Sequence, residues 1–252
     1  MSLSPEWVHY APLISTILSI AFLVVLARHH RNRPSNHVLW WAIGIATYGL
    51  GTFLEATITL FGNSVALTKA WYVAGAILGG YPLATGTVYL LLKRTTAHIL
   101  TGLSMIVVIA ASVAIFLTPL VPENVDPVRP SGTVLEWQWV RLMTPFINIY
   151  ALIFLVGGAM YSTVRYAFPG LIERDGGVRN GKRAAGTALI ALGGLLPGIG
   201  GTLTKTHDMP EALYIGELAG LLLIWAGYEL CIRSTAPSLN TAAPRRTPAA
   251  TG

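Results

Sequence analysis

Seven apolar runs divide this chain, at about 10–27, 38–61, 68–92, 97–120, 139–164, 184–204 and 211–232. Each is close to the roughly 20 residues that an α-helix needs, at about 1.5 Å per residue, to cross a hydrocarbon core about 30 Å thick. Inside hydrocarbon every backbone N–H and C=O must find its partner within the protein, so each run is predicted to be a helix. Only 11% of the 252 residues are charged, against about 25% in soluble domains. The expected fold is therefore an all-α membrane protein, a seven-transmembrane-helix up-and-down bundle.

The order of the charges predicts its orientation. With the N-terminus outside, thirteen Lys and Arg residues fall on the cytoplasmic side, in "RHHRNR", at Lys93 and Arg94, and in "RDGGVRNGKR" among others. Four remain outside: Lys69, Arg129, Arg141 and Lys205. That is the bias of loops retained in the cytoplasm. It places the C-terminus in the cytoplasm and makes the chain a multi-pass protein of a cell inner membrane. The net charge of +6 is then a topology signal, and no nucleic-acid partner is expected. "MSLSPEWVHY" lacks the positive stretch of a cleavable signal peptide. Cys231, the single cysteine, is expected to be a small packing residue.

One domain, 1–233, accounts for nearly everything, followed by a tail, 234–252, whose composition reads as disordered. Most connections are short, so consecutive helices should be neighbours. Two helices are marked for close packing or bending. The third carries "GAILGGYP", with Gly75, Gly79 and Pro82; the sixth carries "LGGLLPGIGG", with Pro197 and Gly198. Glycines let helices approach, and an interior proline removes a backbone bond. Pro197 and Gly198 are the candidate hinge.

Five acidic or aromatic positions inside the apolar runs carry the functional argument. A carboxyl near hydrocarbon must be neutral, paired, close to the interface, or useful. Glu229 precedes Arg233 by four residues, the favourable order for a helix ion pair, and is expected to be a helix-end anchor. Glu217, one to two turns below the outer surface, has no cation one turn away. Glu55 lies at a similar depth in the second helix. Tyr48, Thr52 and Glu55 share one helix face, and Tyr214 shares a face with Glu217. Ionisable residues within a membrane usually point into the bundle and mark function. With Arg141, Trp71, Tyr72 and Asn148 they are expected to line a ligand-binding pocket open to the outside. Arg141, Lys69 and Lys205 are the candidate counter-charges. The competing expectation is an ion-pair network that merely ties helices together.

Other chemistries lack their residues. A covalent retinal needs a lysine in the middle of the last helix, and "LYIGELAGLLLIWAGYEL" has none. The six histidines fall at helix ends or in loops, away from the positions that intramembrane haem or a metal hydrolase would require. No phosphate-binding loop and no nucleophile–base signature is present. The chain is read as a non-enzyme without a cofactor.

Two stretches carry a family likeness: "LTKAWYVAGAILGGYPLATGTVYLLLKR" and "VRNGKRAAGTALIALGGLLPGIGGTLTK". The chain resembles, over about 200 residues, the seven-helix sensor domain at the N-terminus of bacterial histidine kinases, here without a kinase domain. The resemblance implies a receptor-like sensor of the bacterial inner membrane that binds a small molecule or lipid and signals to a separate cytoplasmic or membrane partner. The alternatives are an ion- or proton-coupled transporter or channel, and a structural subunit of a larger membrane complex.

Overall fold

The computed structural model describes residues 10–124, 130–172, 178–207 and 209–234, with the side chains of Pro122, Lys205 and Pro210 excepted. The tail at 235–252, most of the first decapeptide, Arg129 and parts of the two longest connections lie outside these residues. Among the described residues all regular structure is helical, apart from one isolated β-bridge between Leu120 and Leu135.

Seven helices are long and apolar enough to cross a membrane. They are α1 (Ala11–Asn32), α2 (Asn36–Phe61), α3 (Val65–Leu91), α4 (Arg94–Leu117), α5 (Gln138–Ala167), α6 (Gly181–His207) and α7 (Pro210–Arg233). They match the seven apolar runs but extend past them at polar ends such as Asn36, Arg94 and Gly181. Gly62 closes α2 at φ 92°, a left-handed conformation that a side chain resists. Two residues later the Ser64 hydroxyl accepts a bond from the Leu67 N–H and opens α3, satisfying one of the donors a helix start leaves free.

Two ends of the bundle can be named from these turns. The Gly62 end carries the α2–α3 turn and the α4–α5 connection; the Arg33 end carries the α1–α2 and α3–α4 turns. Neighbouring helices alternate in direction. Thr16 meets Thr52 and Ser19 meets Gly49, so α1 and α2 are antiparallel. Gly44 lies against Leu83 and Gly51 against Gly75, which sets α3 antiparallel to α2. Gly80 meets Ala151 and Gly158 meets Thr87, so α3 and α5 run parallel. Phe22 stacks on Trp225 with ring centroids 5.2 Å apart, and Ala11 packs on Tyr214, bringing the first and last helices together in parallel.

The α6–α7 pair is held backbone to backbone. A Cβ at Gly193 would stand 2.6 Å from the Gly220 carbonyl oxygen, and one at Gly220 would stand 2.7 Å from that of Gly193. Gly227 faces the Gly186 oxygen in the same way, at 2.4 Å, and Gly200 faces that of Ala212, at 2.3 Å. No side chain larger than hydrogen fits at any of these points. Pro197 sits inside a continuous α6. Lacking an N–H, it leaves the Gly193 carbonyl without its helical donor, and that same oxygen abuts Gly220, an approach suited to a weak Cα–H···O bond. Gly198 is different: nothing lies within 4 Å of where its Cβ would be. The expected hinge segment is thus an unbroken helix whose other glycines are used for packing.

The bend expected in α3 takes the form of a π-helical turn, Tyr72–Ile77, before Pro82. Proline again removes the donor for a carbonyl four residues back, at Leu78. The Thr47 hydroxyl of α2 reaches that oxygen at 3.3 Å, and also that of Gly44 at 3.0 Å. A second π-helical turn, Leu152–Gly157, lies in α5, next to the point where Gly80 touches Ala151. Such single turns insert one residue into the helical repeat and are frequent at functional sites. Helix α3 is central, with 56% of its apolar window buried; α4 is peripheral, with 28%.

Candidate functional site

Glu55 is buried, with 3% of its surface exposed, on the face of α2 that meets α1 and α7. Its carboxyl accepts a hydrogen bond from the Tyr214 hydroxyl and lies within electrostatic reach of the Glu217 carboxyl, both from α7. Counted from Phe61 and Pro210, the two glutamates are six and seven residues inside their helices, roughly 10 Å from the Gly62 end at about 1.5 Å per residue. Glu55 is enclosed, while Glu217 keeps part of its surface exposed.

The surroundings are oxygen-rich. The Thr52 hydroxyl, one turn from Glu55, lies 3.0 Å from that of Thr16 on α1. Thr16 also donates to the Pro12 carbonyl at 2.8 Å, and Thr52 to that of Gly49 at 3.1 Å. Tyr48, two turns from Glu55, faces both glutamates. Its hydroxyl is buried and has no hydrogen-bond partner among the described residues. A buried hydroxyl without a partner costs roughly 1–3 kcal/mol, so it marks a place where a further group is wanted. The buried face of α1 continues this polar lining through Ser15, Thr16 and Ser19, none more than 7% exposed. These three escaped the sequence reading, although the spacings of three and four that bring Ser15 and Thr16 onto the face of Ser19 within an aliphatic run were the available signal.

Toward the Arg33 end the polar lining stops at an aromatic layer. Phe22 stacks on Trp225 and meets Tyr228 edge-on at 5.5 Å, and Trp41 closes on Tyr228 at 5.9 Å. Beneath it the Tyr228 hydroxyl bonds the His29 ring. The carboxyl pair is therefore covered by rings on the Arg33 side.

The expected pocket divides into two groups. Glu55, Glu217, Tyr48, Thr52 and Tyr214 come together at the α1–α2–α7 junction. Arg141, Tyr72, Trp71 and Asn148 do not join them. The Arg141 guanidinium donates to the Gln138 side chain at 2.9 Å, one turn back on its own helix. Tyr72 bonds the Thr144 hydroxyl at 3.0 Å and packs with Ile115, Val134 and Val140. Trp71 lies against Tyr72, with 6.2 Å between centroids, and Asn148 is exposed on α5. These four belong to α3 and α5, and α3 meets α2 through Gly51 and Gly75 instead of through the glutamates. Lys69 is likewise engaged elsewhere, donating to the Phe116 carbonyl at 2.9 Å; the Lys205 side chain lies outside the described residues. Among the described residues the ion pair within 4 Å is Arg233–Glu229, at 3.3 Å, the helix-end anchor expected for Glu229. The network of ion pairs through Arg141 or Lys69 is not what the structure contains.

A second polar cluster, unforeseen in the sequence, threads α3, α4 and α5. Tyr81 bonds Ser104 at 2.9 Å, Thr85 meets the Tyr150 hydroxyl at 3.3 Å, and the two tyrosine rings lie 5.4 Å apart. Every hydroxyl in it has a partner, which distinguishes it from the Tyr48 site.

Comparison with known proteins yields no relatives: no protein family, curated protein or solved structure matches the chain.

Proposed function

We propose that this protein is a receptor-like sensor of the bacterial inner membrane that binds a small positively charged ligand between Glu55 and Glu217. One observation carries the reading. Two carboxyls from different helices face each other inside an apolar bundle, beside the Tyr48 hydroxyl that has no partner. Two acidic groups so close in a low-dielectric interior call for positive charge between them, and hydroxyls at Thr52 and Tyr48 supply further oxygen donors. The N-terminus outside and the Arg33 end in the cytoplasm follow from the distribution of Lys and Arg, and make the site face outward. The likeness to seven-helix sensor domains of histidine kinases points the same way.

The bound ligand would draw α7 toward α2. Because α7 is locked to α6 through glycines, the two would shift together, and their cytoplasmic ends would present the change to a separate partner. The ligand moves this equilibrium only by its difference in affinity for the two arrangements.

The test is a melting experiment on purified protein with sodium, calcium and choline as probes. A ligand present at a hundredfold excess over its Kd stabilises by about 2.7 kcal/mol. At least one probe should raise the melting temperature of the wild type and leave the folded Glu55→Gln/Glu217→Gln variant unmoved. A shift of equal size in that variant defeats the proposal, as does the absence of any shift. A second reading, cation- or proton-coupled transport, uses the same carboxyls. The aromatic layer around Phe22 stands against it, and uptake by proteoliposomes that depends on Glu55 would favour it.

A further inference from the structure

We propose that the groove bounded by α2, α3 and α4 holds one acyl chain of an anionic phospholipid of the bilayer, with the lipid phosphate at Lys69. This site is separate from the carboxyl pair. The groove has a volume of about 510 Å³ and is walled by Trp40 and Ile43 of α2, Leu78 and Pro82 of α3, and Val113 and Phe116 of α4, among others.

Three features identify the guest. First, the hydroxyls in the wall are already engaged. Thr47 donates to the Gly44 and Leu78 carbonyls, Ser112 to that of Val108 at 2.8 Å, and Tyr81 pairs with Ser104. The wall is therefore almost wholly hydrocarbon, and a sugar, peptide or amine finds little there to bind. Second, the groove opens sideways along the helices: Ile43, Val113 and Phe116 are 37%, 51% and 54% exposed. A guest enters from the bilayer and not from water. Third, size and charge agree. A methylene fills about the 30 Å³ that a water claims in the liquid, so the volume takes roughly seventeen, one chain and not two. On α4 the lining runs from Met105 to Leu117, about 18 Å at 1.5 Å per residue, or a little over half of a hydrocarbon core about 30 Å thick. That is the reach of one leaflet.

The head of the lipid is assigned by Lys69. Its ammonium donates to the carbonyl of Phe116, a groove residue at the last turn of α4. An ammonium has three protons to give, so two remain for a further acceptor beside Phe116, at the end of the groove. A phosphate there also sits where chain ends and headgroups meet. The groove exists because α4 packs on α3 and α5 and leaves its flank toward α2 unfilled, while Leu78, Tyr81 and Pro82 of α3 line it between them.

The experiment is native mass spectrometry of the protein extracted from vesicles that contain equal parts phosphatidylglycerol and phosphatidylcholine. The expected result for the wild type is one retained phosphatidylglycerol. Val113→Trp, which puts a ring into the groove, should reduce that occupancy at least tenfold with helicity unchanged. Ile43→Phe closes the groove from α2 and gives the same loss where Val113→Trp does not fold. Lys69→Gln should keep one lipid but lose the preference for phosphatidylglycerol by about fivefold. Retention at the wild-type level in both groove-filling variants overturns the proposal, and so does a retained free fatty acid or no retained lipid. The Glu55→Gln/Glu217→Gln variant should hold its phosphatidylglycerol normally, so failure of the sensor reading leaves this result standing.

Discussion

Helices α6 and α4 cross the same bundle by opposite means. The first lies against its partner so closely that the carbonyl oxygens of Gly186, Gly193 and Ala212 occupy the places where side chains would begin on α7 and α6. The second touches its neighbours through side-chain tips and leaves a groove of about 510 Å³ along one flank. Water drives neither contact, because lipid is as apolar as leucine; what remains is close packing and hydrogen bonding. Where glycine allows two backbones to meet, a pair forms that moves as one body. Where large residues hold helices apart, the bilayer itself becomes part of the packing.

The largest effect should come from breaking the tight side of this contrast. Gly193→Leu or Gly227→Leu drives a side chain into a carbonyl less than 3 Å away and should cost more than the 1–3 kcal/mol typical of overpacking. Little folded protein should survive extraction, as size-exclusion chromatography will show. Gly198→Ala, five residues from Gly193 on the same helix, meets nothing within 4 Å. It should raise stability by about 0.5–1 kcal/mol through helix propensity, read as a higher melting temperature. If both glycine changes on α6 behave alike, the backbone-to-backbone packing is not what holds the pair.

The next effect tests whether hydroxyl partners matter equally in the two polar clusters. Tyr150→Phe removes the hydroxyl that is hydrogen-bonded to that of Thr85 and should cost about 0.6–1 kcal/mol, the scale of hydrogen bonds between membrane helices. Tyr48→Phe removes a buried hydroxyl that has no partner. It should leave the ligand-free protein as stable or about 1 kcal/mol more so, while lowering the stabilisation by the cation. Equal losses in the two variants would erase the distinction between the structural cluster and the binding site. The smallest change is expected at Arg233→Gln, whose ion pair with Glu229 is exposed; its stability, followed by thermal melting, should stay within about 0.5 kcal/mol of the wild type.

What sequence reasoning reached, and what it missed, follows from the range of the interactions involved. The seven spans are legible because hydrophobicity over about twenty residues is a property of each segment alone. Their ends are less so: Arg94 and Asn36 start helices although they are polar, since helix ends prefer groups that water or headgroups can reach. The meeting of Glu55 with Glu217 was legible because a helix face repeats every three to four residues and polar faces turn inward. The placement of Arg141 was not. A guanidinium satisfies itself with whatever acceptor is nearest, and Gln138, three residues away, won over a glutamate on another helix. The π-helical turns at Tyr72 and Leu152 leave no mark in composition, because one inserted residue changes the register and not the residue types.

Helices α1 and α7 lie side by side although they are made first and last. During synthesis, α1 and α2 enter the membrane with the Glu55 carboxyl lacking the Tyr214 hydroxyl it will later accept from, and Phe22 lacks the ring of Trp225. The carboxyl pair does not ripen gradually as the chain lengthens. It is completed in one event, when the seventh helix is delivered, and a chain halted before Pro210 has a ring with a missing stave and half of its carboxyl pair.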